Sequence, residues 1–212
     1  LLAFLSFFSS LFDLATAQQQ PAGVVTGIQG QAELTRPAAT PSALKFKDGV
    51  VIRDVVDTKE KSLARILFGG RSTVTVRELS RLEIREELLP TGARRDVHDL
   101  SSGAILVNVA RQLMRPGDEV IIRTPNAVAT VRGSTVFTQY IAALNQTIFA
   151  ILFGSVFGGP LGLPPIVITA NTGLNVTGSG PAAQVTQTTI TQAQANQIIA
   201  DSNVDKVKEE AN

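Results

Sequence analysis

"SLARILFGGRSTVTVRELSRLEI", from Ser62 to Ile84, decides the fold. Three apolar runs of strand length are separated by two turn signals, Gly69-Gly70 and the polar group Arg77 to Ser80. In the last run Leu82 and Ile84 alternate with Glu83 and Arg85. That is the two-residue period of a strand with one face in a core and the other in water. Val, Ile and Thr recur, and β-branched side chains favour strand over helix.

The pattern continues outward on both sides. Upstream, "GVVTGIQGQAELTR" gives two short strands around Gln29-Gly30, "PAATPSALKFKDG" a Pro-rich loop, and "VVIRDVVD" a further strand before the charged turn Thr58 to Lys61. Downstream, "GAILVNVA", "DEVIIRT" and "NAVATV" read as three more strands. Turn signals recur every 8–12 residues or so, as in a sandwich, barrel or solenoid. The fold class is therefore all-β, sandwich- or solenoid-like, with a short helix at the C-terminal end. There "TITQAQANQIIADSNVDKVKEEAN" has Thr191 as a cap and Ile198, Ile199 and Val204 as a modest apolar face.

Composition narrows the function classes. The 212 residues are 44% hydrophobic and 17% charged, with a formal net charge of +1. Nothing in that balance draws the chain to nucleic acid or to an anionic membrane. There is no Trp, so no stacking platform for single strands or sugars is indicated. There is no Cys, which excludes disulfides, thiolate metal sites and cysteine nucleophiles.

The N-terminal "LLAFLSFFSSLFDLATAQQQPA" is a dense apolar stretch closed by Ala15-Thr16-Ala17 and a Gln run. It reads as a signal peptide over residues 1–17 with its basic leading segment missing, cleaved after Ala17. The expected location is extracytoplasmic, either periplasmic or at the cell surface. Between Arg132 and Asp201 there is no charged residue. The apolar half of that segment, Thr147 to Ile168, is long enough to span a membrane. Gly158-Gly159-Pro160 and Pro164-Pro165 cut it into strand-length pieces, so buried strands are expected and a transmembrane span is not.

Candidate chemistry is sparse. His98 is the sole histidine, and with Asp96 or Asp99 and a serine it would form part of a hydrolytic triad. "RRDVHDL" reads instead as a charged loop with a solvated His, without a nucleophile elbow. Asp54, Asp57 and Glu60 lack the spacing of a calcium loop and read as a solvated turn. Glu83, Glu86 and Glu87 have the chemistry of glycosidase carboxylates, but Glu83 and Glu87 share a strand face with Arg85 between them, and such adjacent exposed charges read as a polar face. Arg94-Arg95 is too short for a nucleic-acid patch, and Gly69-Gly70 lacks the Lys-Ser/Thr of a phosphate loop. No catalytic residue, metal site or cofactor is assigned.

"RTPNAVATVRGSTVF", Arg123 to Phe137, completes an ordered set with "LSSGAILVNV" and "IFAILFGSV". This order resembles the FecR domain family, extracytoplasmic domains named for iron-citrate signalling regulators. The resemblance covers about residues 24–157, read as a β-domain over residues 23–157. An uncharged extension over 158–190 and a helix or tail over 191–212 follow. The family pattern Arg-Gly-Thr-x-Phe appears here as Arg132-Gly133-Ser134-Thr135-Val136-Phe137, with the aromatic one place later. Signalling members also carry a sigma-factor-binding segment and a transmembrane helix, and neither is recognised in this sequence. The resemblance marks Thr124, Pro125, Arg132 and Gly133 as motif positions. Their residue types point to structure ahead of ligand contact: Pro125 starts a strand, Gly133 bends the chain after it, and Arg132 lays its stem along apolar surface.

These readings converge on an exported, non-catalytic binding or sensing module of the cell envelope. Its partner is expected to be another envelope protein, with no nucleic acid and an unknown ligand. A structural or adhesive envelope protein is the first alternative, suited by the uncharged Thr/Gln/Asn-rich tail. An exported hydrolase is the second.

Overall fold

A computed structural model describes residues 21–204. The signal-peptide reading of residues 1–17 and the end of the C-terminal tail lie outside the described residues. The described residues build 17 strands by zigzagging between two sheets. Strand β1 (Gly23–Gln29) opens the first sheet, and β2 (Ala32–Thr35) and β3 (Ser42–Ala43) open the second. Then β4 (Gly49–Val50) returns to the first sheet, β5 (Val55–Thr58) to the second, the hairpin β6 (Leu63–Phe68) and β7 (Ser72–Val76) to the first, and β8 (Arg81–Leu88) to the second. The long β9 (Arg94–Val109) belongs to both. After it the chain lays down hairpins alternately. These are β10 (Glu119–Arg123) with β11 (Ala127–Val131), β12 (Thr135–Ile141) with β13 (Gln146–Phe153), β14 (Ser155–Pro160) with β15 (Ile166–Thr169), and β16 (Thr172–Thr177) with β17 (Gln184–Thr189).

From β5 onward each new element joins the growing edge of one sheet, while β3 and β4 close the opposite edges beside β2 and β1. All described pairings are antiparallel except β9 with β10, which run parallel. The two inner faces form one apolar core. Val25, Ile66, Phe68, Val74 and Ile105 come from the first sheet, and Leu82, Ile84, Leu100, Ile122 and Val131 from the second. Leu82 and Ile84 are buried, while Glu83 and Arg85 face outward, as the alternation predicts. Each such Ile or Leu contributes about 1.5–3 kcal/mol by leaving water.

The crossing of β9 is the unusual feature. Its first half pairs with β8 and β10 in the second sheet, and its second half with β12 and β7 in the first. The change of sheet falls at Gly103, where φ is +81°. A Cβ there would sit 2.5 Å from the Cα of Ser80 and 2.7 Å from the carbonyl oxygen of Leu79. The buried Ser80 hydroxyl clamps the crossing. It accepts from the Ala104 N–H at 2.8 Å and donates to the Ala104 carbonyl at 3.0 Å.

Helix α1 (Gln192–Asp201) begins with a capping box, in which Thr191 and Gln194 satisfy each other's backbone donors. It lies on the outer face of the first sheet. Ile190 and Ile198 pack against Ala104, Phe137 and Ala150, and Asp201 pairs with Arg77 at 3.5 Å. Arg77 in turn lies over the Phe137 ring, 5.6 Å from its centroid. The expected face is corrected in one place: Ile199 is exposed, and Ala195 takes its buried position. The one-place displacement of Phe137 also has a structural outcome. Val136 points into the core and Phe137 points out under the helix, because a shift of one residue moves a strand side chain to the other face.

The apolar segment 147–168 lies in β13, β14 and β15; β13 is covered on both faces, by the core and by α1 over Ala150, whereas β14 and β15 leave one face open. Phe149, Ile151, Val156 and Ile168 are enclosed, whereas Phe153, Phe157 and Val167 are exposed. Among the described residues no helix is long and apolar enough to cross a membrane.

The crossing can be tested by a matched pair of substitutions. Gly92 has φ +79° with nothing within 4 Å of a Cβ, so Gly92→Ala meets only the backbone penalty, about 1–2 kcal/mol. Gly103→Ala meets the same penalty plus the Ser80–Leu79 backbone, and is expected to cost roughly 3–5 kcal/mol in denaturant melts. Equal losses at the two sites would refute the crossing geometry.

Candidate functional site

The motif residues sit at the two ends of β11. At one end, the β10–β11 turn, Thr124 is buried and Pro125 is exposed. The Thr124 hydroxyl accepts from the Ala127 N–H at 3.1 Å and lies 2.7 Å from the Thr147 hydroxyl. Beside it Asn126 is almost fully buried. Its amide reaches the carbonyls of Asn145 (2.8 Å), Val176 (3.0 Å) and Gly178 (2.8 Å). One side chain thus ties the β10–β11 turn to the β12–β13 turn and to β16. Sequence reading passed over Asn126, because an Asn after Pro looks like any turn residue.

At the other end of β11, Arg132 pairs with Glu119. It closes a row of alternating charge across the outer face of the second sheet, with Arg95 3.1 Å from Glu87 and 3.2 Å from Glu119. Gly133 follows with φ +127°. A Cβ on Gly133 would overlap the Cβ of Arg111 and lie 3.2 Å from its Cα. The glycine therefore does more than bend the chain. Its missing side chain is the space in which the stem of Arg111 rests.

Three turns meet here: the loop of residues 111–118, the β11–β12 turn at residues 132–134, and the β13–β14 turn around Gly154. Together they enclose an open groove of about 750 Å³. Arg111, Arg115, Arg132, Met114, Phe153 and Phe157 contribute to its walls. Phe153 is 68% and Phe157 50% exposed. The Ser134 hydroxyl joins two of the turns, donating to the Ser155 carbonyl at 2.7 Å and accepting its N–H at 3.1 Å.

The 111–118 loop is held from behind by a buried ionic cluster. Arg71 pairs with Asp96 at 2.9 Å and with Asp118 at 3.3 Å, and all three side chains are nearly enclosed. Asp118 also accepts the Arg94 N–H at 2.8 Å, and the Arg71 carbonyl accepts from Ala110 N–H. Burial pushes the Asp96 carboxyl above its usual pKa, and the Arg71 charge opposes that shift. Sequence reading missed this cluster as well, since Arg71 lies 25 positions from Asp96.

Two expectations are corrected. His98 is not solvated: it is 0% exposed on the inner face of β9, with its ring 4.8 Å from that of Phe68. Neither ring nitrogen has a hydrogen-bond partner among the described residues. Asp96 is engaged by Arg71, and Asp99 by Arg85. Asp54 is also buried, not part of a solvated turn. It accepts the Val51 N–H at 2.9 Å, faces Arg36 at 3.7 Å, and burial raises its pKa. Glu83 and Glu87 pair with Arg85 and Arg95 on the outer face, and Glu86 pairs with Arg94 on the side of β8 that carries Leu82 and Ile84. Among the described residues no group of three His, Asp or Glu could hold a metal ion.

Residues 54–157 match the family described as FecR protein. No curated protein matches the chain. Two crystal structures of a proposed anti-sigma factor from Parabacteroides distasonis ATCC 8503 share its fold, with TM-scores of 0.55 and 0.54. They are 12% and 13% identical, over 69% of this chain and 63% and 62% of theirs. The chain thus spans less than two thirds of those proteins' length, and the likeness is one of fold.

The burial of His98 gives a pH signature. Desolvation lowers its pKa to about 4 in the folded protein, against roughly 6.5 in an unfolded chain. Between those values the unfolded chain holds the proton and the native one does not, so stability falls as pH drops through that window. The elevated carboxyl of Asp96 acts in the opposite sense in acid, so the His98 contribution is read as a difference from His98→Leu. Between pH 7.5 and pH 4.5 the wild type should lose roughly 2–3 kcal/mol more than the variant in urea melts. A difference that does not change with pH would mean a solvated imidazole.

Proposed function

From the match of residues 54–157 to the FecR protein family, we propose that this chain is the binding or sensing module of a signalling regulator. It works outside the cytoplasm, acts through a protein partner and carries out no catalysis. The observation that carries this reading is the meeting of the Arg132-Gly133 motif with two other turns around a solvent-open groove walled by exposed Phe153 and Phe157. Turns fixed on a rigid sandwich are the usual place for recognition surfaces. On this reading Thr124, Pro125 and Gly133 act through structure, and Arg132 closes a charge row beside the groove. The Leu1 to Ala17 segment supports export.

A second reading, a structural envelope protein, is favoured by β17. All six of its residues are exposed, among the described residues it pairs only with β16, and it carries no charged residue.

A photo-crosslinking residue placed at Phe153 in intact cells tests the first reading, with Phe46 as control. Both are exposed, and Phe46 lies in the loop before β4, which pairs with β1 at the opposite edge of the first sheet from β13. The expected result is a discrete adduct with another envelope protein from position 153 and none from position 46. Retention of the protein in the cytoplasm, or equal labelling from both positions, would overturn it. Adducts of the chain with itself from a probe at Thr186 would favour the second reading.

A further inference from the structure

The charges around the groove identify the chemistry of what it binds. On the outer face of the second sheet the arginines are neutralised in place: Arg81 by Asp57, Arg85 by Glu83, Arg95 by Glu87, Arg123 by Asp99, and Arg132 by Glu119. Arg111 and Arg115 differ. Both are exposed, both line the groove, and among the described residues neither has a carboxylate partner. The acidic residue nearest them in sequence is Asp118, already engaged by Arg71 and by the Arg94 N–H. Beyond Arg132 the chain supplies no charge until Asp201, so the Phe153–Phe157 wall is apolar and neutral.

We propose that the groove docks an extended acidic segment of a partner protein, in which an aromatic or aliphatic side chain is flanked by Asp or Glu. The apolar side chain lies between Phe153 and Phe157, and the carboxylates meet Arg111 and Arg115. Guanidinium groups suit carboxylates because their planar fork donates two parallel hydrogen bonds. The groove is concave and bounded by turns on three sides. That shape fits a peptide, whereas a membrane-inserting tip projects its apolar residues outward. The placement of Arg111 is set by Gly133, whose vacant side-chain position receives the arginine stem. The family-motif glycine thereby becomes a determinant of ligand position. This proposal rests on the docking reading above and specifies its ligand.

The test uses fluorescein-labelled ten-residue peptides with a central Phe between Asp and Glu residues, measured by anisotropy on the protein at low salt. The comparison peptides replace the acids by Lys, or the Phe by Ser. The expected result is saturable binding of the acidic Phe peptide, at least tenfold weaker for either comparison peptide. Binding should also weaken at least tenfold in Arg111→Glu/Arg115→Glu and in Phe157→Ser, and fall with added salt. Lys59→Glu, on the far side of the second sheet, should leave it unchanged, and melting curves would show that each variant folds. Absence of binding, or binding indifferent to the arginine pair, overturns the proposal. So does partition onto phosphatidylglycerol vesicles that depends on Arg111 and Arg115 without peptide binding. Sequencing the partner peptide cross-linked at position 153 separates the two levels. A segment with no Asp or Glu near the adduct refutes the acidic ligand while leaving the docking surface intact, and no adduct at all refutes the docking surface.

Discussion

Strand β9 is held in both sheets at once, and the crossing at Gly103 is the constraint around which the remaining strands are arranged. Its first half lies between β8 and β10, and its second half between β7 and β12. Two sheets joined through one continuous strand cannot slide past each other without breaking ladders on both. The Ser80 hydroxyl fixes the point of crossing through two bonds to Ala104. Because Ser80 is almost fully buried, losing either bond would leave a polar group without water to replace it.

The same strand positions the groove. Asp96, on its first half, meets Arg71 from the β6–β7 turn, and Arg71 then holds Asp118 at the end of the 111–118 loop. A buried ionic cluster of this kind is a weak source of net stability, since desolvation offsets much of the attraction. Its effect is to fix position: three segments distant in sequence have one low-energy arrangement. The exposed charge row from Glu87 to Arg132 has a smaller role, for surface pairs contribute about 0–1 kcal/mol each. It keeps that face soluble up to the point where the neutral wall of β14 begins.

Much of this architecture is legible in the sequence, because it follows from local periodicity. Leu82 and Ile84 against Glu83 and Arg85, the Gly69-Gly70 turn and the Thr191 cap all express rules that act over a few residues. What is not legible depends on pairings between distant segments. "RRDVHDL" has the composition of a loop, yet its alternation puts Asp96 and His98 inward once β9 is flanked on both sides. The partner that makes Asp96 tolerable, Arg71, sits in another hairpin. Gly133 shows the limit well. Its residue type announced a bend, but that its empty side-chain space seats Arg111 requires knowing that residues 111 and 133 touch. The exposure of Phe153 and Phe157 was hidden for a related reason, since an apolar run does not declare which of its faces is covered.

Through β9 the two sheets form one cooperative unit. Native-state hydrogen exchange tests it most directly, by comparing amides of residues 95–99 with those of residues 104–108 under increasing denaturant. Both halves of the strand are expected to exchange only through the same opening, at the free energy of global unfolding. Separate openings, with one half of β9 exchanging well before the other, would contradict it.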